Sequence, residues 1–301
     1  MKPKAGRGAS LTLAGLLCAV GPPVPDPRAC ARGFDRGDYA GALELCRARL
    51  QAEPRDVATR IVLARAEAAL GRFEAALGGF REALAQAPRN TDALYYLGIT
   101  AGVLAQGEYQ RLLSTAPDSA RAHQLMGESH EAQDQASEAE AEYKAALEKN
   151  PGSVEVLVAL GDLTRSKSRF DEALSYYSRA AAIAPFHYDV LYGIGVCHSY
   201  QGQQDKAAES FRQALRVDPK SAPAHLALGI ALLQTGRTQE AVTELETTAA
   251  LEPRMRQAHY QLGRAYRLLG RSADADAAAT KFQELLELER AETSLERSDP
   301  R

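Results

Sequence analysis

A chain of 301 residues has room for about two globular domains, and its 45% hydrophobic and 25% charged content supplies a core and argues against disorder. The 36 basic and 39 acidic residues leave a net charge of -3, which argues against a nucleic-acid binder with a basic working face. Trp is absent, aromatics reach only 6% and Ala is the main apolar residue, so the composition points to thin, closely packed helices rather than strands.

The first element in chain order is not part of the fold. Lys2, Lys4 and Arg7 precede a ten-residue apolar run, Leu11 to Val20, too short for a bilayer core of roughly 30 Å. A basic flank with a short apolar run is the secretory-signal pattern, so the chain is expected to be periplasmic or secreted, with a mature start between Gly21 and Ala31. The alternatives are a membrane-tethered or a cytoplasmic protein. Lipidation at Cys18 is disfavoured, because Leu16 and Leu17 stand where a small residue is needed. Residues 1–21 are thus assigned to a signal peptide and 22–28, rich in proline, to a stiff linker.

From residue 29 to 291 the sequence keeps a beat. Pro54, Pro88, Pro117, Pro151, Pro185, Pro219 and Pro253 are spaced by 34 residues, except for one interval of 29. Ala64, Gly98, Gly127, Gly161, Gly195, Gly229 and Gly263 repeat with them, as do Ala42, Ala76, Ala139, Ala173, Ala207, Ala241 and Ala275. Aromatic residues follow the second set at Phe80, Tyr143, Tyr177 and Phe211. Each period reads as two helices joined at a glycine such as Gly71, Gly202, Gly236 or Gly270, able to take the left-handed cap conformation. Small residues at Gly195 and Ala207 let the two backbones approach, Phe211 fills the gap beside them, and Pro219 ends the second helix.

This pattern resembles the tetratricopeptide repeat family, most closely over residues 188–221, where Gly195, Gly202, Ala207, Phe211, Ala214 and Pro219 match the family's small, turn, small, aromatic, small and proline positions. The resemblance implies an all-α, right-handed α-solenoid of about eight helix-turn-helix repeats. The repeats fall at 23–56, 57–90, 91–119, 120–153, 154–187, 188–221, 222–255 and 256–291, the last with a C-terminal capping helix. Three departures are expected to show. The first repeat begins in prolines, so its first helix is short. The third lacks five residues, so its helices should join abruptly near Gln106 and Gly107. The last continues from Ala273 to Glu289 as one amphipathic helix with Phe282, Leu285, Leu286 and Leu288 as its apolar contacts, before a loose polar tail at 292–301.

No nucleophile elbow, phosphate loop or zinc helix occurs, so no catalytic residue, metal site, cofactor or small-molecule substrate is assigned. His130 and Glu131 form half a zinc motif, with Asp134 in place of the second histidine. His123, His225 and His259 read as half-buried packing residues, Glu128, Glu131 and Asp162 as a solvated acidic face, and Cys197 as a small packing residue. Cys30 and Cys46 lie on the two helices of the first hairpin and can pair in an oxidising compartment.

In the family the first helix of each repeat lines a concave groove. Its second, fifth, ninth and twelfth positions share one face. Transferred here, the repeats from 120 and 154 give Arg121, Gln124, Glu128, Glu131, Glu155, Val158, Asp162 and Arg165, mostly acidic. The next two give Tyr192, Val196, Leu226, Ile230 and Leu233, expected to form an exposed apolar patch extended by Tyr260 and bordered by Arg264 and Arg267. The resemblance therefore implies a non-catalytic scaffold that binds a peptide or helix of a protein partner, apolar with an acidic end. The alternatives are an architectural part of an envelope or secretion assembly, working through its convex face, and a non-catalytic fragment of a larger sensor or transferase system. The asparagines that hold a terminal carboxylate in chaperone-binding relatives are replaced by Arg65, Ile99, Glu128, Asp162, Val196, Ile230 and Arg264.

Overall fold

The structure, a computed structural model, describes residues 26–298, which hold fifteen helices and no strand. They fall into two compact units, one ending at Arg111 and the other starting at Leu112. In the first, α1 (Pro27–Asp35), α2 (Tyr39–Ala52), α3 (Val57–Ala69) and α4 (Phe73–Gln86) pack in chain order, with α1 also against α3. Helix α5 (Thr91–Thr115) follows. The second unit contains α6 (Ala120–Ala132), α7 (Ala136–Lys149), α8 (Val154–Ser166), α9 (Phe170–Ile183), α10 (Tyr188–Tyr200), α11 (Gln204–Val217), α12 (Ala222–Gln234), α13 (Thr238–Leu251), α14 (Arg256–Leu268) and α15 (Ser272–Ser298). Each packs on the next, and α8, α10, α12 and α14, the first helices of successive hairpins, also touch in a row.

Backbone chemistry sets the hairpins. Gly71, Gly202, Gly236 and Gly270 take φ of +74°, +75°, +75° and +72° at the turn inside each hairpin. Asp134 and Ser168 hold the same place at +59° without being glycine. Between hairpins, Asp56, Asn90, Ser119, Ser153 and Ser221 each accept a hydrogen bond from the backbone N–H three residues on, capping the next helix. A Cβ on Gly127, Gly161 or Gly195 would lie 2.6 Å from the ring of Tyr143, Tyr177 or Phe211, so the small-against-aromatic contact in these hairpins leaves no room for a methyl. Ala139, Ala173, Ala207 and Ala241 are fully buried beside it.

Three expectations are corrected. The third repeat has no break at Gln106 and Gly107, because α5 is a single helix of 25 residues. Loss of the turn leaves no proline or cap at the junction, so Val103, Leu104 and Ala105 carry the hydrogen-bond ladder straight through. The proline-rich linker gives its last two residues to α1, where Pro27 sits in the first turn and Asp26 caps it. At the other end α15 runs to Ser298 instead of loosening at Glu292, since Ala, Glu, Leu and Arg favour helix and no proline or glycine intervenes. Within α15, Leu285 is buried but Leu288 is 45% exposed. The apolar run at Leu11 to Val20 lies outside the described residues.

Candidate partner-binding site

Helices α10 and α12 bring Tyr192, Val196, Leu226 and Ile230 around one cavity of about 510 Å³, wholly within the second unit. Arg165 of α8 closes one side, and Met255 and Gln257 at the start of α14 close the other. The ring of Tyr192 stacks on Tyr188 at 5.8 Å and tilts against Phe211 at 5.6 Å, which fixes it in the wall. Burial pushes its phenol up. Arg165 is held in place as a cation. Its Nη2 donates to Asp162 Oδ1 at 2.8 Å and its Nε to the Tyr177 hydroxyl at 3.2 Å, while that hydroxyl donates to Asp162 at 2.7 Å. Burial opposes the Arg165 charge, yet the bonds to Asp162 and Tyr177 outweigh it and raise its pKa further. The cavity thus offers apolar side chains with the guanidinium of the Arg165–Asp162 ion pair fixed on one wall. A larger hollow of about 740 Å³ over Arg49 and residues 53–56 is open, and Arg49 there pairs with Glu53 and Asp56.

The remaining residues of the proposed stripe are placed differently. Leu226 is not an exposed patch residue but is 9% exposed, packed with Val242, Leu245 and Leu262, because α12 is apolar on nearly every face. Leu233 is half-buried between α12 and its neighbours and lies outside this cavity. Tyr260 is 50% exposed, 5.7 Å from the Phe282 ring, and lines a second cavity of about 640 Å³ with Arg254, Arg256 and Gln257. Gln257 belongs to both cavities. Arg264 and Arg267 are exposed on α14 outside both, and Arg264 Nη1 donates to Gln261 at 2.9 Å. Met255 and Pro223 were not legible as wall residues. Met255 did carry a signal: it occupies the slot that Asp, Asn or Ser caps in five other turns, yet it makes no side-chain cap.

Elsewhere the chemistry is structural. Cys30 and Cys46 are joined in the structure, with Cα atoms 5.2 Å apart. Cys197 is fully buried, and burial pushes its thiol up to about 11. The three histidines do more than fill space: His123 and His225 reach Glu142 and Glu244 on the partner helix at 2.7 and 2.6 Å, and His259 donates to the Pro253 carbonyl at 3.0 Å. Glu131 accepts the Tyr143 hydroxyl at 2.8 Å, as Asp162 accepts Tyr177. Neither carboxylate is therefore merely part of a solvated face. Among the described residues no cluster of His, Cys, Asp and Glu could hold a metal ion.

Tetratricopeptide repeat profiles match residues 34–97, 104–154 and 125–188, and the profile of the cilia and flagella-associated protein 70 middle TPR-like domain matches residues 164–289. The chain belongs to the tetratricopeptide repeat family. Among solved structures it is similar to MamA (20% identity, TM-score 0.53, covering 55% of this chain and 97% of that one). MamA from Desulfovibrio magneticus RS-1, residues 41 to the end, gives 20% identity and a TM-score of 0.52 over 57% and 96% of the two chains. YrrB, described as a TPR protein with an unusual peptide-binding site, gives 18% and 0.53 over 59% and 91%. These likenesses show the shared fold. No curated protein matches the sequence. No helix among the described residues is long and apolar enough to cross a membrane.

Proposed function

We propose that the cavity between α10, α12 and α14 receives an extended or helical segment of a partner protein, apolar along its length and acidic at one end. The observation that carries this reading is the convergence of Tyr192, Val196 and Ile230, half-buried and apolar, on one hollow walled by Arg165. Stacked helical repeats present such surfaces to partners, and tetratricopeptide repeats are in general non-catalytic protein-interaction modules. Tyr260 and Gln257 extend the track towards Arg264 and Arg267, whose planar guanidinium groups suit a carboxylate. The peptide-binding site ascribed to YrrB is in keeping with this use of the fold. An exported location accompanies the reading: the basic, apolar start of the chain is of secretory type, and the Cys30–Cys46 pairing suits an oxidising compartment.

Selection of a random-peptide phage library on the immobilised protein tests the site without knowledge of the partner. The expected enrichment is for an apolar stretch flanked by Asp or Glu, lost when Ile230→Glu protein is used. Enrichment that survives that change, or basic peptides, would overturn the assignment.

A further inference from the structure

Helix α5 carries both halves of a hairpin contact that it does not make with itself. In the complete hairpins the small residue of the first helix meets the aromatic ring of the second, as Gly127 meets Tyr143 and Gly195 meets Phe211. In the shortened third repeat the equivalent residues are Gly98, counted forward from the repeat start, and Tyr109, counted back from Pro117. Nothing lies within 4 Å of where a Cβ on Gly98 would stand, and Tyr109 is 50% exposed. Eleven residues along one helix separate them by about 16 Å, so a continuous α5 holds them apart.

The rest of the helix is consistent with a missing partner. One side is already used, because Ala93 and Thr100 are buried and Tyr96 and Leu97 pack with Phe80 and Ile61. At 100° per residue the opposite side carries Leu94, Gly98, Gly102, Ala105 and Tyr109, none of them charged. Leu94 is 50% exposed and Tyr95, at its edge, 63%. Glycines inside a helix weaken it relative to alanine unless a close approach repays them, and α5 has three.

We propose that a second copy of this chain covers this side of α5. The two helices pack antiparallel about a twofold axis between Val103 and Leu104, and each copy's Tyr109 seats against the other's Gly98. The face is self-complementary in that register: Gly102 opposes Ala105, which lets the backbones approach, and no like charges meet. An isologous contact of this kind is what twofold symmetry requires, and exchange of an identical element between copies is a low-cost route to a dimer. The apolar groups this contact would cover include Leu94, Tyr95 and Tyr109, each half exposed or more, against the roughly 1,000 Å² in total that a specific interface needs.

Light scattering of the full chain across roughly 1–100 μM reads the result directly. The expected mass is that of a dimer at the upper end. Inserting a copy of residues 201–205 between Val103 and Leu104 restores the missing turn and should halve the mass, because α5 then folds back on itself. Tyr109→Glu changes an exposed side chain and should also give a monomer with unaltered circular dichroism; it decides the question alone if the insertion fails to fold. A monomer at every concentration would overturn the proposal, as would a dimer that survives Tyr109→Glu.

Discussion

Ser168 and Asp134 sit where five hairpins place glycine, at φ near +59°, and both are exposed. The left-handed conformation costs a residue with a Cβ roughly 1–2 kcal/mol, and Ser168→Gly should stabilise the chain by about 1 kcal/mol in urea unfolding. The opposite substitution harms: Gly195→Ala drives a methyl to within 2.6 Å of the Phe211 ring and should destabilise by roughly 1–3 kcal/mol in the same assay. The repeating glycines made this contact readable in the sequence, because only a missing side chain at that beat explains an aromatic sixteen residues later. Polar tips were not readable in the same way. Periodicity tells that Tyr143 and Tyr177 are buried but not that their hydroxyls end on Glu131 and Asp162, since those partners follow from side-chain reach across the hairpin.

Between elements, Glu140 of α7 binds Lys144 at 2.7 Å, Lys167 at 3.0 Å and Arg169, tying α7 to the turn between α8 and α9. Burial works against its charge, but the bonds from Arg169, Lys144 and Lys167 prevail and hold the carboxyl at about 2, well below the ordinary 4.5. A lowered carboxylate contributes stability that is complete above its unfolded value and is lost as pH falls through the folded one. Glu140→Gln should therefore cost about 3 kcal/mol at neutral pH, with the deficit shrinking from pH 4.5 towards pH 2 in urea titrations. His123 has the opposite sign: its bond to Glu142 raises it against burial, with Asp118 assisting, so its contribution is full below about 6.5 and fades as pH rises through the raised folded value. In the first hairpin, reduction of Cys30–Cys46 removes a link across sixteen residues and should weaken α1–α2 by roughly 3 kcal/mol, seen as faster amide exchange in α1. The joining of the third repeat into α5 escaped the sequence, because a deletion of five residues marks where a turn is lost but not whether a kink or a straight helix replaces it. The extent of α15 escaped for a related reason: polar composition near the end reads as loose, although its residues are good helix formers.

For the molecule as a whole, a sustained period of 34 residues made the all-α repeat fold legible before any coordinate, since each hairpin repeats the same local solution. The site was legible only in part. Helix-face arithmetic found Tyr192, Val196 and Ile230, which line the cavity. It also named Leu226, which lines the same cavity but is buried by the packing of α12 against α13 and α14. Met255 and Pro223 come from turns and helix starts that a stripe along a helix cannot see. This cavity, and not an incidental hollow, is proposed to take the partner. Fluorescence polarisation of an apolar, acid-ended peptide selected on the wild-type protein, measured against Ile230→Glu with circular dichroism of both proteins, tests it most directly. A loss of at least about tenfold in affinity, or 1.4 kcal/mol, with an unchanged helical signal is the predicted result. Unchanged affinity, or a variant that unfolds because Ile230 is core, would contradict it.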